Sequence, residues 1–284
     1  MVKMRIAVIV SGKKERQLRG KFTQKNPDME YAFIHSLDEL FDYHPDCVLS
    51  KISNTVDPVL VNHLVSNTHR HIVHPALQEI FTDRIALVDR IKGTCSVPAY
   101  LAFNNSTDPD VVAAFVKTHG KVILKPALAC GDDSAHVMRV CDSLKDVESF
   151  SANGTRVLMQ EFVPHEGFFL KIFVIGNHVS VYARESLDNP PLIGENFNSQ
   201  GLFSSPSPAS VSLEIQAEAI EISKGISGCL QVPLLGVDIV LRTPSSSSKA
   251  GNLLVVDVNF FPSYSEVGDR FISLLDQLIV SLDP

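Results

Sequence analysis

Paired cysteines are the first feature that this sequence lacks. Its five cysteines are widely spaced, and no two of them form a Cys-x-x-Cys motif. A disulfide scaffold and a zinc knuckle are therefore not expected, and a reducing cytoplasm is the compartment that this pattern favours.

Long apolar runs and surplus positive charge are missing as well. No run approaches the length of a membrane span, and the first residues lack the pattern of a signal peptide, so no membrane contact is expected. The formal net charge of −7 disfavours nucleic acid and anionic lipid as partners, and a polyanionic substrate would need a local basic pocket. The composition, 45% hydrophobic and 20% charged, is typical of a globular protein, which we expect to be a monomer.

Several well-known nucleotide-binding and catalytic motifs are also absent. No G-x-G-x-x-G follows the first apolar run, and the chain has neither a P-loop nor the Gly-rich loop of protein kinases. Nothing in it resembles a nucleophile elbow. If the chain binds ATP, another kind of fold must hold the nucleotide.

What the chain does contain begins with alternating strands and helices over residues 1–82. Apolar runs at 4–10, 31–34 and 47–50 predict strands, and the segments between them predict helices. This order is typical of a small doubly wound α/β domain.

The second part of the chain, residues 83–164, has a different pattern. Apolar runs at 121–125, 136–140 and 156–163 predict strands, with helices between them. This order favours an antiparallel sheet with helices on one side, which is an α+β unit.

The third part, residues 165–284, begins with a predicted hairpin whose strands, 168–175 and 178–183, are joined by a Gly-Asn turn. Residues 188–207 are rich in Pro, Ser, Asn and Gly and predict a long loop. A second hairpin, with a long polar turn, is predicted within residues 236–264.

Three oxygen-bearing side chains interrupt the apolar strands of this second hairpin. Asp257 and Asn259 are two residues apart, so on a strand both project from one face, and Asp238 could meet them across the hairpin. Two carboxylates and an amide oxygen suit Mg²⁺, a hard cation. A magnesium site is therefore predicted here, and three unrelated polar residues near strand ends are the alternative.

Lone basic residues recur at strands in all three parts of the chain. Lys125 and Lys171 are single charges within apolar runs, and Arg184 ends a strand. Lys14 and Lys51 each follow a strand of the first part, at the edge where α/β sheets bind ligands. One such residue is typical of a solvated charge, but the recurrence favours a site for phosphates.

In this order, the motifs resemble the ATP-grasp fold. More narrowly, they resemble the inositol 1,3,4-trisphosphate 5/6-kinase (inositol-tetrakisphosphate 1-kinase) family. The stretches that carry the resemblance are Ser11-Gly-Lys-Lys14, Asp83-Arg84, Lys125-Pro126, Gln160-Glu-Phe-Val-Pro-His165, Lys171-Ile-Phe-Val-Ile-Gly176, Arg184-Glu-Ser-Leu187, Gly236-Val-Asp-Ile-Val240 and Asp257-Val-Asn-Phe-Phe-Pro262.

The resemblance implies transfer of the γ-phosphoryl group of ATP to a hydroxyl of an inositol phosphate, such as inositol 1,3,4-trisphosphate or inositol 3,4,5,6-tetrakisphosphate. It implies an inositol-phosphate-binding domain over 1–82, a central lid domain over 83–164 and a catalytic domain over 165–284. ATP would lie between the last two domains, together with Mg²⁺, as two ions.

The resemblance also implies roles for individual residues. Lys125, Lys171 and Asp257 would be catalytic, and the metal would be held by Asp238, Asp257 and Asn259. ATP would be bound by Arg84, Lys125, Gln160, Glu161, Phe162, Val163, Lys171, Ser186 and Asp257. The inositol phosphate would be bound by Lys14, Lys51, His136, His165, Lys171, Arg184, Asn259 and Ser263.

Two alternatives share the same ATP and metal residues. One is an ATP-grasp carboxylate–amine ligase, and the other is a non-catalytic inositol-phosphate-binding scaffold. The loop from Cys130 to Ala135, with Gly131 and small or polar neighbours, predicts a lid that closes over ATP. Its Asp132-Asp133 pair, and Ser263 at a position where relatives often have glycine, leave the particular acceptor open.

Overall fold

The computed structural model of the protein describes residues 3–22, 26–53, 55–129, 133–151, 156–186, 193–198, 207–208, 211–243 and 253–282. These residues form three sheets with helices packed against them. In this described part of the chain, no helix is long and apolar enough to span a membrane.

The first sheet is parallel, with strand order β2-β1-β3, as the alternation of the first part predicts. Its first strand is buried from Ile6 to Ile9 because it lies between two neighbours and beneath helices on both faces. The strands are β1 (Met4–Ile9), β2 (Met29–Phe33) and β3 (Cys47–Ser50), and the helices are α1 (Gly12–Lys21), α2 (Leu37–Tyr43), α3 (Pro58–Ser66) and α4 (Pro75–Gln78).

The second sheet is antiparallel, which confirms the α+β prediction, although its edge strand Tyr100–Phe103 was not predicted. That strand has only four residues and pairs with a single neighbour, so its sequence is too short to show a hydrophobic alternation. In chain order the elements are α5 (Arg84–Ile91), β4 (Tyr100–Phe103), α6 (Pro109–His119), β5 (Val122–Pro126), β6 (Val137–Cys141), α7 (Leu144–Ser151) and β7 (Val157–Glu161).

The third sheet is built on the two predicted hairpins, and both are confirmed. The first hairpin turns at Gly176, whose φ of 58° favours glycine. The elements are β8 (His165–Ile175), β9 (His178–Glu185), β10 (Asn196–Asn198), β11 (Ser207–Pro208), α8 (Leu213–Leu230), β12 (Leu234–Arg242), β13 (Leu253–Phe260) and α9 (Arg270–Ser281), with β10 joining the second sheet.

The prediction of an unbroken loop over 188–207 is wrong in two places. Asn196–Asn198 pairs with β6, and Ser207–Pro208 pairs with β9. Strands of only two or three residues are too short to show an apolar alternation. The other residues of this segment, apart from 193–195, lie outside the described residues.

The largest buried cluster joins the first and third sheets, and the second sheet has a separate core around Val122 and Met159. The second and third sheets face each other across a cleft. Because β10 belongs to the second sheet but follows residue 164 in the chain, one strand crosses the predicted boundary. The division into 1–82, 83–164 and 165–284 stays a prediction.

Candidate nucleotide and metal site

A cavity of about 300 Å³ lies between the facing surfaces of the second and third sheets. Among the described residues, it is lined by Ile123, Lys125, His136, Met138, Gln160, Glu161, Phe162, Val163, His165, Phe169, Lys171, Arg184, Ser186, Phe197, Asp238, Val240, Val256, Asp257 and Asn259. Most of the predicted site residues are therefore brought to one place.

A row of three charges crosses the third sheet. Lys171 on β8 lies directly opposite Asp238 on β12, which lies directly opposite Asp257 on β13. Directly opposed residues share a face of the sheet, so all three side chains point into the cleft. The Nζ atom of Lys171 is 2.5 Å from Oδ1 of Asp238, and Nδ2 of Asn259 donates to Oδ2 of Asp257 at 2.9 Å.

Glycine at position 236 makes room for this row. Gly236 lies opposite Asn259, and a Cβ atom there would come within 3.0 Å of Pro262 Cγ. The same atom would be 3.7 Å from Cε of Lys171. An alanine would therefore crowd Pro262 in the turn after β13, while it would only touch the lysine that reaches Asp238.

The two carboxylates have opposite pKa shifts. Burial raises the pKa of Asp238, and the charge of Asp257 adds to this effect while Lys171 opposes it. Burial also acts to raise the pKa of Asp257, but Lys125, Arg84 and Lys171 outweigh it, so that the pKa of Asp257 is lowered. Asp257 is therefore the carboxylate held most firmly as an anion.

A β-bulge connects this row to the second sheet. The register shifts after Asp238, so Val256 has no direct partner on β12. The Val256 carbonyl instead accepts a hydrogen bond from Nζ of Lys125 at 2.9 Å, and Oε1 of Gln160 accepts another at 3.0 Å. Burial lowers the pKa of Lys125 to about 8, against the opposing field of Asp257.

The opposite end of the cavity is mainly apolar. Ile123 and Met138 from the second sheet face Phe169 and Val240 from the third. This apolar part of the cavity, called the slot below, also contacts the end of β7 and the residues that follow it, Glu161, Phe162 and Val163. Apolar walls of this kind suit a flat heteroaromatic base.

His165 has a defined hydrogen-bonding state at the rim of this slot. Its Nδ1 lies 2.6 Å from the Val163 carbonyl, and its Nε2 lies 2.6 Å from Oγ of Ser186. Because a carbonyl oxygen only accepts, we assign the proton to Nδ1, and Nε2 then accepts from the Ser186 hydroxyl.

Two ion pairs at the cleft involve residues that the sequence analysis did not single out. Arg242 Nη2 donates to both carboxylate oxygens of Glu161 at 2.9 Å, which links the third sheet to the second. Arg184 pairs with Glu266, whose side chain is 1% exposed. Arg242, like Arg184, is a basic residue at the end of an apolar strand, so the same signal could have identified it. No local signal marks Glu266.

Two predicted substrate lysines are not among the described residues that line the cavity. Lys14 Nζ donates to the Pro262 carbonyl at 2.5 Å and lies 3.7 Å from the centre of the Phe261 ring. Lys51 Nζ donates to the carbonyls of Phe260 at 2.9 Å and Phe261 at 3.3 Å. Both lysines therefore contact the end of β13 and the turn that directly follows it.

Ser263 and Arg84 are also absent from the described lining. Ser263 contacts Ser265, with the two Oγ atoms 3.2 Å apart. Arg84 is buried behind the cleft and donates to the carbonyls of Pro126, Leu128 and Ala135. Arg84 thus hydrogen-bonds to the backbone on both sides of the predicted lid loop. Residues 130–132 of that loop, including Gly131 and Asp132, lie outside the described residues.

Burial of Lys14 predicts a pH dependence of stability. Burial, with help from Lys51 and Lys21, lowers the pKa of Lys14 from 10.5 to about 6. Between these two values the unfolded chain binds a proton that the folded chain does not, so the free energy of unfolding should rise with pH. Denaturant titrations at pH 7 and pH 9 should show this rise, and Lys14→Met should reduce it.

Lys13→Met is the matched control, because Lys13 is the exposed neighbour of Lys14 on α1. The interval from pH 7 to 9 lies above the titration of His71, whose pKa burial lowers to about 4. Lys51 and Lys125, whose pKa values burial lowers to about 8, also titrate within this interval, so the share of Lys14 is the difference in slope between the wild type and Lys14→Met. An equal pH slope in the wild type and in Lys14→Met would contradict the prediction.

The residues of the charged row fit a magnesium ion. Asp238 and Asp257 supply carboxylate oxygens, and Asn259 keeps its amide oxygen available because its Nδ2 donates to Asp257. Within the described residues, no group of three His, Cys, Asp or Glu side chains suits a metal. The amide oxygen is therefore an essential part of this donor set, which is hard and all-oxygen.

Comparison with solved structures defines the class of fold. The chain superposes on the D-Ala:D-Ser ligase VanG of Enterococcus faecalis with a TM-score of 0.71 and 15% identity, covering 99% of both chains. It superposes on a D-alanine–D-alanine ligase of Bacillus anthracis, solved with ATP, with a TM-score of 0.69 and 11% identity, covering 99% of this chain and 98% of that one. The protein has the ATP-grasp fold.

Sequence comparison defines the family. The family description "Inositol 1,3,4-trisphosphate 5/6-kinase ATP-grasp domain" matches residues 90–280, and the chain belongs to this family. It is 24% identical over 274 residues to an inositol-tetrakisphosphate 1-kinase of Danio rerio, covering 89% of this chain. It is 30% identical over 141 residues to one of Xenopus laevis, covering 44% of this chain. The matches span 63% and 34% of the length of these two relatives.

Proposed function

We propose that this protein is a Mg²⁺-dependent inositol phosphate kinase that transfers the γ-phosphoryl group of ATP to an inositol hydroxyl. The observation that carries the proposal is the row of Lys171, Asp238 and Asp257, with Lys125 meeting it from the facing sheet. This row lies beside an apolar slot of suitable shape for adenine. Family membership and the kinase names of the similar proteins support the choice of reaction.

In this proposal the nucleotide lies between the two sheets. The base occupies the apolar slot against the strand end at Glu161–Val163, and Ser186 faces the cavity near the sugar. Lys125 and Lys171 bind the phosphates, and Asp238, Asp257 and Asn259 hold magnesium, as two ions. Bound Mg²⁺ would neutralise negative charge on the phosphates of ATP.

Phosphoryl transfer has a loose transition state, so positioning and charge neutralisation supply most of the catalysis. The two lysines approach from opposite sheets and thereby restrict how the phosphates can move. Lys14, Lys51, His136, His165, Arg184, Asn259 and Ser263 are proposed to bind the acceptor, together with Lys171.

The decisive test is to incubate the protein with Mg-ATP and a series of inositol phosphates and to separate the products by chromatography. A new phosphorylated inositol, formed at the expense of ATP, supports the kinase. ATP consumption that requires a carboxylate and an amine would favour the ligase activity named for the structurally similar proteins. Binding without turnover of any acceptor would favour a scaffold.

The acceptor contacts predict separable kinetic effects. Arg184→Ala and Lys14→Ala should each raise the KM for the inositol phosphate roughly ten- to a hundredfold, because each removes a contact to a phosphate. For Lys14 this contact becomes charge-assisted once the nearby phosphate raises the low pKa of its amine. The KM for ATP should change little. Steady-state kinetics with each substrate varied in turn measures both constants, and equal effects on the two KM values would contradict these assignments.

A further inference from the structure

Among the described residues that line the cleft, lysine and arginine do not outnumber the acidic side chains, although the proposed acceptor is a polyanion. Apart from the histidines, the described lining contains three basic side chains, Lys125, Lys171 and Arg184, and three acidic ones, Glu161, Asp238 and Asp257. Each basic group already has a partner in Gln160 and Val256, in Asp238 or in Glu266. Mg-ATP brings further negative charge to the same space.

Glu266 affects the charge of the cleft, although it is not among the described residues that line the cavity. Its side chain is 1% exposed and pairs with Arg184, which is 22% exposed and reaches the cleft. The second carboxylate oxygen of Glu266 accepts a hydrogen bond from Oγ of Ser265 at 2.6 Å. Glu266 is therefore fixed on both sides, and its charge offsets that of the arginine that the acceptor would meet.

Lys14 on α1 and Lys51 after β3 do not supply the positive charge that the cleft lacks. Lys14 and Lys51 donate to the backbone carbonyls of the turn from Phe260 to Pro262. An acceptor phosphate must compete with these carbonyls for both ammonium groups. Each added phosphate on the acceptor therefore meets more uncompensated negative charge.

We propose that Glu266 is a specificity-determining residue, which neutralises Arg184 and makes this kinase select lightly phosphorylated inositols. The preferred acceptor has fewer phosphates than the tetrakisphosphate in the names of the similar proteins. The inference rests on the proposed function and concerns the acceptor side of the same site.

The test combines binding with turnover. Calorimetry measures the Kd of inositol bis-, tris- and tetrakisphosphates in the presence of Mg²⁺ and a non-hydrolysable ATP analogue, and product formation is measured separately. Wild-type protein should bind the tetrakisphosphate more weakly than the bisphosphate. In Glu266→Gln the tetrakisphosphate should gain roughly tenfold relative to the bisphosphate, the effect of removing one nearby charge.

Two further variants isolate the role of Glu266. Glu185→Gln changes the net charge equally, but Glu185 is exposed on the opposite face of β9 from Arg184, so the preference should not move. Adding Arg184→Gln to Glu266→Gln should abolish the gain, because the gain depends on the freed guanidinium. Unfolding midpoints show whether each variant folds. The Kd values of the wild-type protein for the three inositol phosphates test the preference even if a variant does not fold.

The outcomes separate this inference from the kinase proposal. If affinity falls with phosphate number but no product forms, the role of Glu266 stands and the kinase proposal is wrong. If product forms but wild-type affinity rises with phosphate number, the inference is wrong. A gain in Glu185→Gln equal to that in Glu266→Gln would also overturn it.

Discussion

Asp257→Asn is expected to lower the rate of phosphoryl transfer roughly a thousandfold or more, which corresponds to several kcal/mol of transition-state stabilisation. Lys125, Arg84 and Lys171 keep this carboxylate ionised against the effect of burial. It is therefore the strongest anionic ligand available to magnesium. Asparagine has a similar volume and can still contact Asn259, so the fold should persist. Turnover and the unfolding midpoint should be measured on the same preparation.

Asp276→Asn provides the contrasting control. Asp276 is a buried carboxylate outside the cleft, where it accepts hydrogen bonds from Tyr31 and from Asn26. Its replacement should lower stability and leave kcat largely unchanged. If folded Asp257→Asn turns over near the wild-type rate, the metal assignment has to be abandoned.

Lys125→Met is expected to lower kcat/KM for ATP roughly ten- to a hundredfold, because it removes a charge-assisted contact to the nucleotide phosphates. The fold holds this ammonium at a cost, since burial lowers the pKa of Lys125 to about 8. Methionine removes the charge while nearly keeping the length of the side chain. The relief of that cost opposes the loss of the hydrogen bonds to Gln160 and Val256, so the free energy of unfolding should change little while activity falls.

The same assignment predicts a pH dependence. Wild-type affinity for ATP should decline as the pH rises above about 8, where Lys125 loses its proton, and the affinity of Lys125→Met should decline less. Lys121→Met is the matched control, because Lys121 is exposed just before the same strand. An unchanged kcat/KM for ATP in Lys125→Met would exclude Lys125 from the nucleotide site.

Much of the architecture could be predicted because it depends on local periodicity. The alternation over 1–82 predicts the parallel sheet, and the Gly-Asn pair predicts the turn between β8 and β9. Elements too short to show a period were missed, as with β4, and the two short strands within 188–207 were predicted as loop.

Some positions in the candidate site could likewise be predicted from local spacing, and others depend on contacts between residues far apart in the chain. Asp257 and Asn259 share a face because a strand repeats every two residues, and Asp238 meets them because a hairpin pairs its own strands. These relations were predictable from spacing alone. The positions of Lys14 and Lys51 were not, because only tertiary packing brings them to the carbonyls at the end of β13.

The sequence by itself therefore determined the longer strands, the two hairpins and the residues that share a face of each of these strands, since backbone geometry imposes these within a few residues. Tertiary structure alone decided that Lys125 meets the Val256 carbonyl, 131 positions away. It also decided that Arg184 is neutralised by Glu266 and that Glu161 binds Arg242. Such pairs depend on how separate sheets pack, and no local period encodes that packing.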